Sequence, residues 1–187
     1  VEEAGMSGGS FLVLGSAPGV VEWWEQRARQ FDGWAVCPIN NAWRVIGPEQ
    51  IHTWFRSTDF SAIGAVQPGE DDMAALAPKI VEYFCETPCS YDKQGGSGTM
   101  LAGALCHLLN AEQPSRVRVV GSDFQYNGGT TTHFYGAGTP DPLRYGEAWL
   151  VGVMQQIREH YDAAGVSLGR YRDVATLLPF DLYEEGK

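Results

Sequence analysis

The chain is poor in lysine. Of its 13 basic residues only Lys79, Lys93 and Lys187 are lysines, and 23 acidic residues outweigh them all for a net charge of −10. This argues against an extended nucleic-acid-binding surface, because that affinity comes mostly from Lys and Arg on phosphates. Adsorption to an anionic membrane is disfavoured on the same ground. A small anion in a local cleft is not excluded, since net charge says little about one pocket. Long apolar runs are missing as well: none approaches the roughly 18 residues that a bilayer requires. Val1-Glu2-Glu3-Ala4-Gly5 is acidic and has neither the basic region nor the apolar core of a secretory signal. Cysteine is sparse, at Cys37, Cys85, Cys89 and Cys106. Cys85 and Cys89 have no second pair to complete a zinc site. The expectation is reduced, mostly buried thiols in a cytoplasmic protein.

What is present is an ordinary globular composition: 187 residues, 44% apolar, 19% charged and 12% aromatic. That length fits one domain over residues 1–187, with 1–9 as a tail. A chain of this size buries roughly 70% of its unfolded surface and needs no disulfide or metal staple.

Phe11-Leu12-Val13-Leu14 reads as a fully buried strand running into the turn Gly15-Ser16-Ala17-Pro18-Gly19. Val21, Trp24, Ala28 and Phe31 give the next segment a helical stripe, which Asp32-Gly33 ends. Further strands are expected at 34–39, 51–55, 79–84, 117–120 and 166–170. Helices are expected at 71–77, after Gly98 with Leu101, Leu105, Leu108 and Leu109 on one face, and at 174–178. A longer helix has Asp141 as N-cap and Pro142 behind it. It carries Leu150, Val153, Met154, Ile157 and Tyr161 on one face and stops at Gly165. Strands alternating with helices predict a single-domain, doubly wound, Rossmann-like α/β fold: a mainly parallel sheet with helices on both faces. Ligands of such sheets sit beyond the carboxyl ends of the strands.

The unusual residues gather at those ends. Gly15, Ser16, Ala17 and Pro18 allow a ligand close to backbone N–H groups at a helix start; a tight turn that needs glycine is the plain alternative. Gly96, Ser97 and Gly98 form a second such place, either an anion nest with a hydroxyl or a serine N-cap. Asn40 and Asn41 offer paired donors and acceptors for a base or sugar, or simply a turn. Asp123 suits a ribose hydroxyl or a local loop bond. His133 lies in a polar, aromatic loop over 125–141, and histidine, with an unperturbed pKa of about 6.5, is the side chain suited to general-base work near neutrality. Tyr126, Tyr135 and Tyr145 bring phenols to the same stretch, and Arg44, Arg56 and Arg144 are candidate phosphate clamps. His107 and His160 read as structural, and the tryptophans as core. No metal-ligand set stands out, so no cofactor is required, although a divalent ion is compatible with a phosphate-bearing ligand.

Four of these motifs, in this order, resemble the bacterial sialyltransferase-like glycosyltransferases. Gly15-Ser16-Ala17-Pro18 matches their opening turn, and Asn40-Asn41-Ala42-Trp43 their nucleotide-binding asparagine and aromatic. Gly96-Ser97-Gly98-Thr99 matches their small-residue helix start, and Gly121-Ser122-Asp123-Phe124 their Gly-x-Asp-Phe strand end. The resemblance implies a sugar transferred with inversion from a cytidine-monophosphate-activated donor to an acceptor. It implies His133 as base, with Tyr126 or Tyr135 supporting the leaving phosphate. The chain departs from that family in a shorter segment after Asp123, and Ala137-Gly138 stands where the family base falls. A hydroxymethylpterin pyrophosphokinase-like group shares the opening turn and the Gly-Ser helix start, which keeps pyrophosphoryl transfer as an alternative. A nucleotide-binding module without turnover is the other.

Overall fold

The computed structural model describes residues 8–57, 66–83, 100–122, 147–171, 176 and 178–183. The expected apolar run forms β1 (Ser10–Leu14), with Phe11 to Leu14 all buried. A strand buried on both faces belongs inside a parallel sheet, where it reads as a continuous apolar run. Here β1 lies between β2 (Ala35–Pro38) and β5 (Arg116–Val120), and β6 (Ser167–Arg170) and β7 (Asp181–Leu182) follow β5. Every pairing in this five-stranded sheet is parallel. A second parallel pair joins β3 (Trp54–Ser57) to β4 (Ile80–Tyr83). It is linked to β2 by bridges Val36–Ile51 and Ile39–Phe55, and His52 N–H donates to the Val36 carbonyl at 2.8 Å.

Alternation along β1 divides the core. Phe11 and Val13 share an apolar cluster with Leu101, Leu105 and Leu108 and with Val153, Met154, Ile157 and Tyr161. Leu12 and Leu14 share another with Trp23, Trp24, Phe31, Trp43 and Leu76. The helices are α1 (Val20–Arg27), α2 (Glu70–Leu76), α3 (Met100–His107) and α4 (Glu147–Ala163). None among the described residues is long and apolar enough to cross a membrane.

Several expected boundaries shift. The first helix buries Val20, Trp23 and Trp24, while Val21 and Ala28 are only half-buried. All four residues of the expected stripe nevertheless pack on one apolar cluster, with Trp24 and Phe31 buried in it, and the segment tightens to a 3-10 turn at Ala28–Phe31. The third strand is Trp54–Ser57, with Ile51 reduced to a single bridge. Past His107 the third helix widens into a π turn at Leu108–Glu112 and stops at Gln113, whose φ is 48°. Of the expected helix at 174–178 only Thr176 and Leu178 are described, and neither is helical. Leu178 N–H instead donates to the Thr176 hydroxyl, and β7 follows unannounced. Within the expected tail, Gly9 is anchored: its carbonyl accepts from Ser115 N–H at 3.0 Å. The Asp141 cap and the loop 125–141 fall outside the described residues.

The tryptophans do go to the core, Trp23, Trp24, Trp43 and Trp54 fully and Trp34 and Trp149 half. Tyr161 ties the last long helix to the third by donating its hydroxyl to the Leu105 carbonyl at 2.8 Å. Arg118, only 2% exposed, replaces an apolar residue on the α1 side of β5. Its Nη1 donates to the Val117 and Ser167 carbonyls at 2.9 Å, and the Tyr183 ring stacks 3.5 Å from its Cζ. Gly169 beneath leaves that ring room.

Candidate functional site

From β1 the chain crosses to β2 on one side, whereas β5, β6 and β7 extend on the other. The strand order therefore reverses between β1 and β5, and it is at such a reversal that a parallel sheet opens a crevice beyond its carboxyl ends. Gly15 to Gly19 leave β1 at this point, and Gly121-Ser122 leave β5.

The two turns are clasped. Gly15 N–H donates to the Val120 carbonyl and Ala17 N–H to the Gly121 carbonyl, both at 2.8 Å, so the ladder continues past the strands. Gly121 adopts φ 72°. A Cβ on Gly15 would overlap the Gly121 carbonyl oxygen and Ser122 Oγ. The opening turn is thus a glycine turn for a packing reason. Its capacity for an anion is narrower than the sequence suggests, because two of its amides are committed to β5 and its neighbour. Glu22 also places a carboxylate in the first turn of α1, where the helix dipole otherwise favours a ligand anion. Ser16 is left: half-buried, with a hydroxyl that meets no partner among the described residues. Leu14 gives its carbonyl to Ile39 N–H of the β2 end, and Gly15 turns its amide to β5. The Leu14 bond keeps the β2 end beside the opening turn.

Asn40 and Asn41 stand there, in the 3-10 turn Asn40–Val45 that follows β2. They do different things. Asn40 is left-handed at φ 45°, which asparagine tolerates better than most residues. Its Oδ1 accepts from Ser57 N–H at 2.9 Å and its backbone carbonyl from Trp54 Nε1 at 2.9 Å. Asn40 therefore ties the β2 end to the β3 end. Asn41 is 5% exposed, and its Oδ1 is buried without a hydrogen-bond partner among the described residues.

Of the arginines, Arg44 is exposed in that same turn. Arg56 is occupied on β3, where it pairs with Glu82 of β4 and its Cζ lies 5.3 Å from the Trp54 ring. His133, Tyr126, Tyr135, Asp123, Gly96, Ser97, Gly98 and Arg144 lie outside the described residues. The structure thus brings Gly15, Ser16, Ala17 and Pro18 together with Asn40 and Asn41 on neighbouring strand ends. Ser57 and Ser122 join them; sequence reading passed over Ser57 and quoted Ser122 only as part of the Gly121-Ser122-Asp123-Phe124 strand end.

Behind the edge, Cys37 of β2 is fully buried, and burial pushes its thiol up to about 12. His107 meets the Phe55 ring edge-on at 5.5 Å between centroids, and burial holds its imidazole below the ordinary value. Among the described residues no three His, Cys, Asp or Glu side chains gather as a metal site. No protein-family model, curated protein or solved structure matches the chain.

Proposed function

We propose that this protein is a glycosyltransferase-like enzyme. On this reading it binds a cytidine-monophosphate-activated sugar at the carboxyl edge of a doubly wound, Rossmann-like sheet and transfers the sugar to an acceptor hydroxyl. The observation that carries the reading is the reversal of strand order between β1 and β5, with a small-residue turn leaving each strand at that point. The separate apolar clusters fed by alternate residues of β1, and the bridges that attach β3 to β2, support the doubly wound arrangement. Buried free thiols at Cys37 and Cys106 suit a cytoplasmic setting.

In the reaction, His133 takes the acceptor hydroxyl proton and the acceptor oxygen bonds to the anomeric carbon from the face opposite the phosphate. The bond from that carbon to the phosphate oxygen breaks, and cytidine monophosphate leaves with the electron pair. Tyr126 or Tyr135 donates to the departing phosphate. Ser16 and Asn41 lie on the nucleotide side.

The test is a melting-temperature series with cytidine, uridine, guanosine and adenosine monophosphates, followed by a transfer assay. Cytidine monophosphate at 100 times its dissociation constant adds about 2.7 kcal/mol of stability. His133→Ala is expected to lower turnover by about 10²–10⁴ while donor binding persists. A protein stabilised by the nucleotide that never releases it from a nucleotide sugar is a binding module. A protein stabilised by no nucleotide overturns the reading.

A further inference from the structure

At the end of the sheet opposite the crevice stands a group of side chains that the proposed reaction does not use. His52 Nε2 and Glu112 Oε2 are 3.9 Å apart there. His52 lies in the connection from β2 to β3, and its N–H makes the bond to the Val36 carbonyl. Glu112 ends the π turn that follows α3. A π turn closes between residues five apart, and Glu112 is five residues past His107, on whose imidazole its charge acts. It acts on the Cys37 thiol of β2 as well. Each histidine ring is met edge-on by a phenylalanine, His52 by Phe11 of β1 at 5.6 Å and His107 by Phe55 of β3 at 5.5 Å between centroids. Glu112 is thus shared by two imidazoles that the core holds in place. The seam to which His52 belongs is thin: β3 joins β2 through isolated bridges, without a ladder. Local openings begin where few buried bonds hold an element.

We propose that His52 and Glu112 form a clasp that closes in acid and fastens the β2–β3 seam to the end of α3. A neutral imidazole offers a carboxylate at most a hydrogen bond, whereas an imidazolium gives it an ion pair, and histidine is the side chain that changes charge between about pH 5 and 8. Of the two imidazoles on Glu112, His52 is the one to carry the charge. Its side chain is 45% exposed, so water shares in solvating the cation, whereas burial disfavours the charged form of His107. Cys37 stays a neutral thiol through that range, with its value at about 12. The seam has the candidate site at its other end, where Asn40 takes the Ser57 N–H of β3. The clasp therefore sets how firmly β3, and with it that end of the site, is held as pH falls.

The experiment is run without ligand, so its outcome stands apart from the nucleotide reading. Hydrogen exchange of the His52 amide is compared in wild type and Glu112→Gln at about pH 5.5 and about pH 8, on either side of the histidine range. In acid the variant is expected to exchange about two- to fivefold faster, the range of an exposed ion pair, and at the higher pH the two should agree. Urea unfolding of wild type, His52→Gln, Glu112→Gln and the double variant then gives the coupling between the two side chains. That coupling should change the unfolding constant about two- to fivefold in acid, vanish at the higher pH, and persist in a His107→Gln background. Both positions carry partly or fully exposed side chains, and glutamine keeps their polarity, so the variants fold. Coupling that is the same at both pH values overturns the clasp, as does an acid exchange rate unmoved by Glu112→Gln. Coupling that disappears with His107 assigns the carboxylate to His107 and overturns it as well.

Discussion

Gly15 needs no left-handed backbone; what it needs is the absence of a side chain, because the Gly121 carbonyl and Ser122 Oγ occupy the space a Cβ would take. Its walls are partly backbone, so little can yield. Gly15→Ala is expected to cost about 1–3 kcal/mol in a urea titration, the usual penalty for overpacking. Cys37 makes a prediction of a different kind. Its thiol titrates near 12 in the folded chain against an ordinary 9.0, through burial first of all. Above pH 9 the unfolded chain loses this proton and the folded one keeps it, so stability falls as pH rises from about 9 toward about 12. His107 works the other way, because its folded value is lowered by burial. Below the ordinary 6.5 the unfolded chain takes up the proton first, and stability falls with pH. Unfolding free energies followed across these windows should show a flatter alkaline limb in Cys37→Ala and a flatter acid limb in His107→Gln. Unchanged slopes would show that neither group is linked to folding.

The last long helix shows what a single element reveals in advance. Leu150, Val153, Met154, Ile157 and Tyr161 repeat at helical spacing, and all five are buried in α4. Its stop is equally readable. Gly165 takes φ 70°, its N–H donates to the Asp162 carbonyl, and Val166 N–H donates to Tyr161 across the helix end. This paired closure needs a residue at ease in the left-handed region. Gly165→Ala is expected to cost about 1–2 kcal/mol, with Gly165→Asn recovering part of it, by thermal unfolding. The first helix was less legible because its period changes at Ala28. The last strand was not legible at all: Asp181–Leu182 is two residues on a sheet edge, too short to carry a pattern. It is held by Arg158, which donates to Asp181 at 3.1 Å and to the Pro179 carbonyl at 2.7 Å.

At the scale of the molecule, the alternation of strands and helices announced a parallel sheet, and the buried run of β1 announced an interior strand. The different duties of Asn40 and Asn41 were hidden, since Ser57, which decides them, lies 17 residues along the chain from Asn40. The clasp at Gly15 was hidden for the same reason: its partner belongs to β5, and periodicity is a local signal. That distance has a consequence for how the chain is made. Ser10 and Arg116, on the two central strands, are separated by 106 positions. At about 5–20 residues per second, β1 leaves the ribosome roughly 5–20 seconds before β5 does. Through that interval it has only β2 beside it, and its other edge offers bare amides and carbonyls on an apolar ribbon. The most buried strand of the finished protein is thus the most exposed one of the unfinished chain, and aggregation during synthesis is set by how long that vacancy lasts.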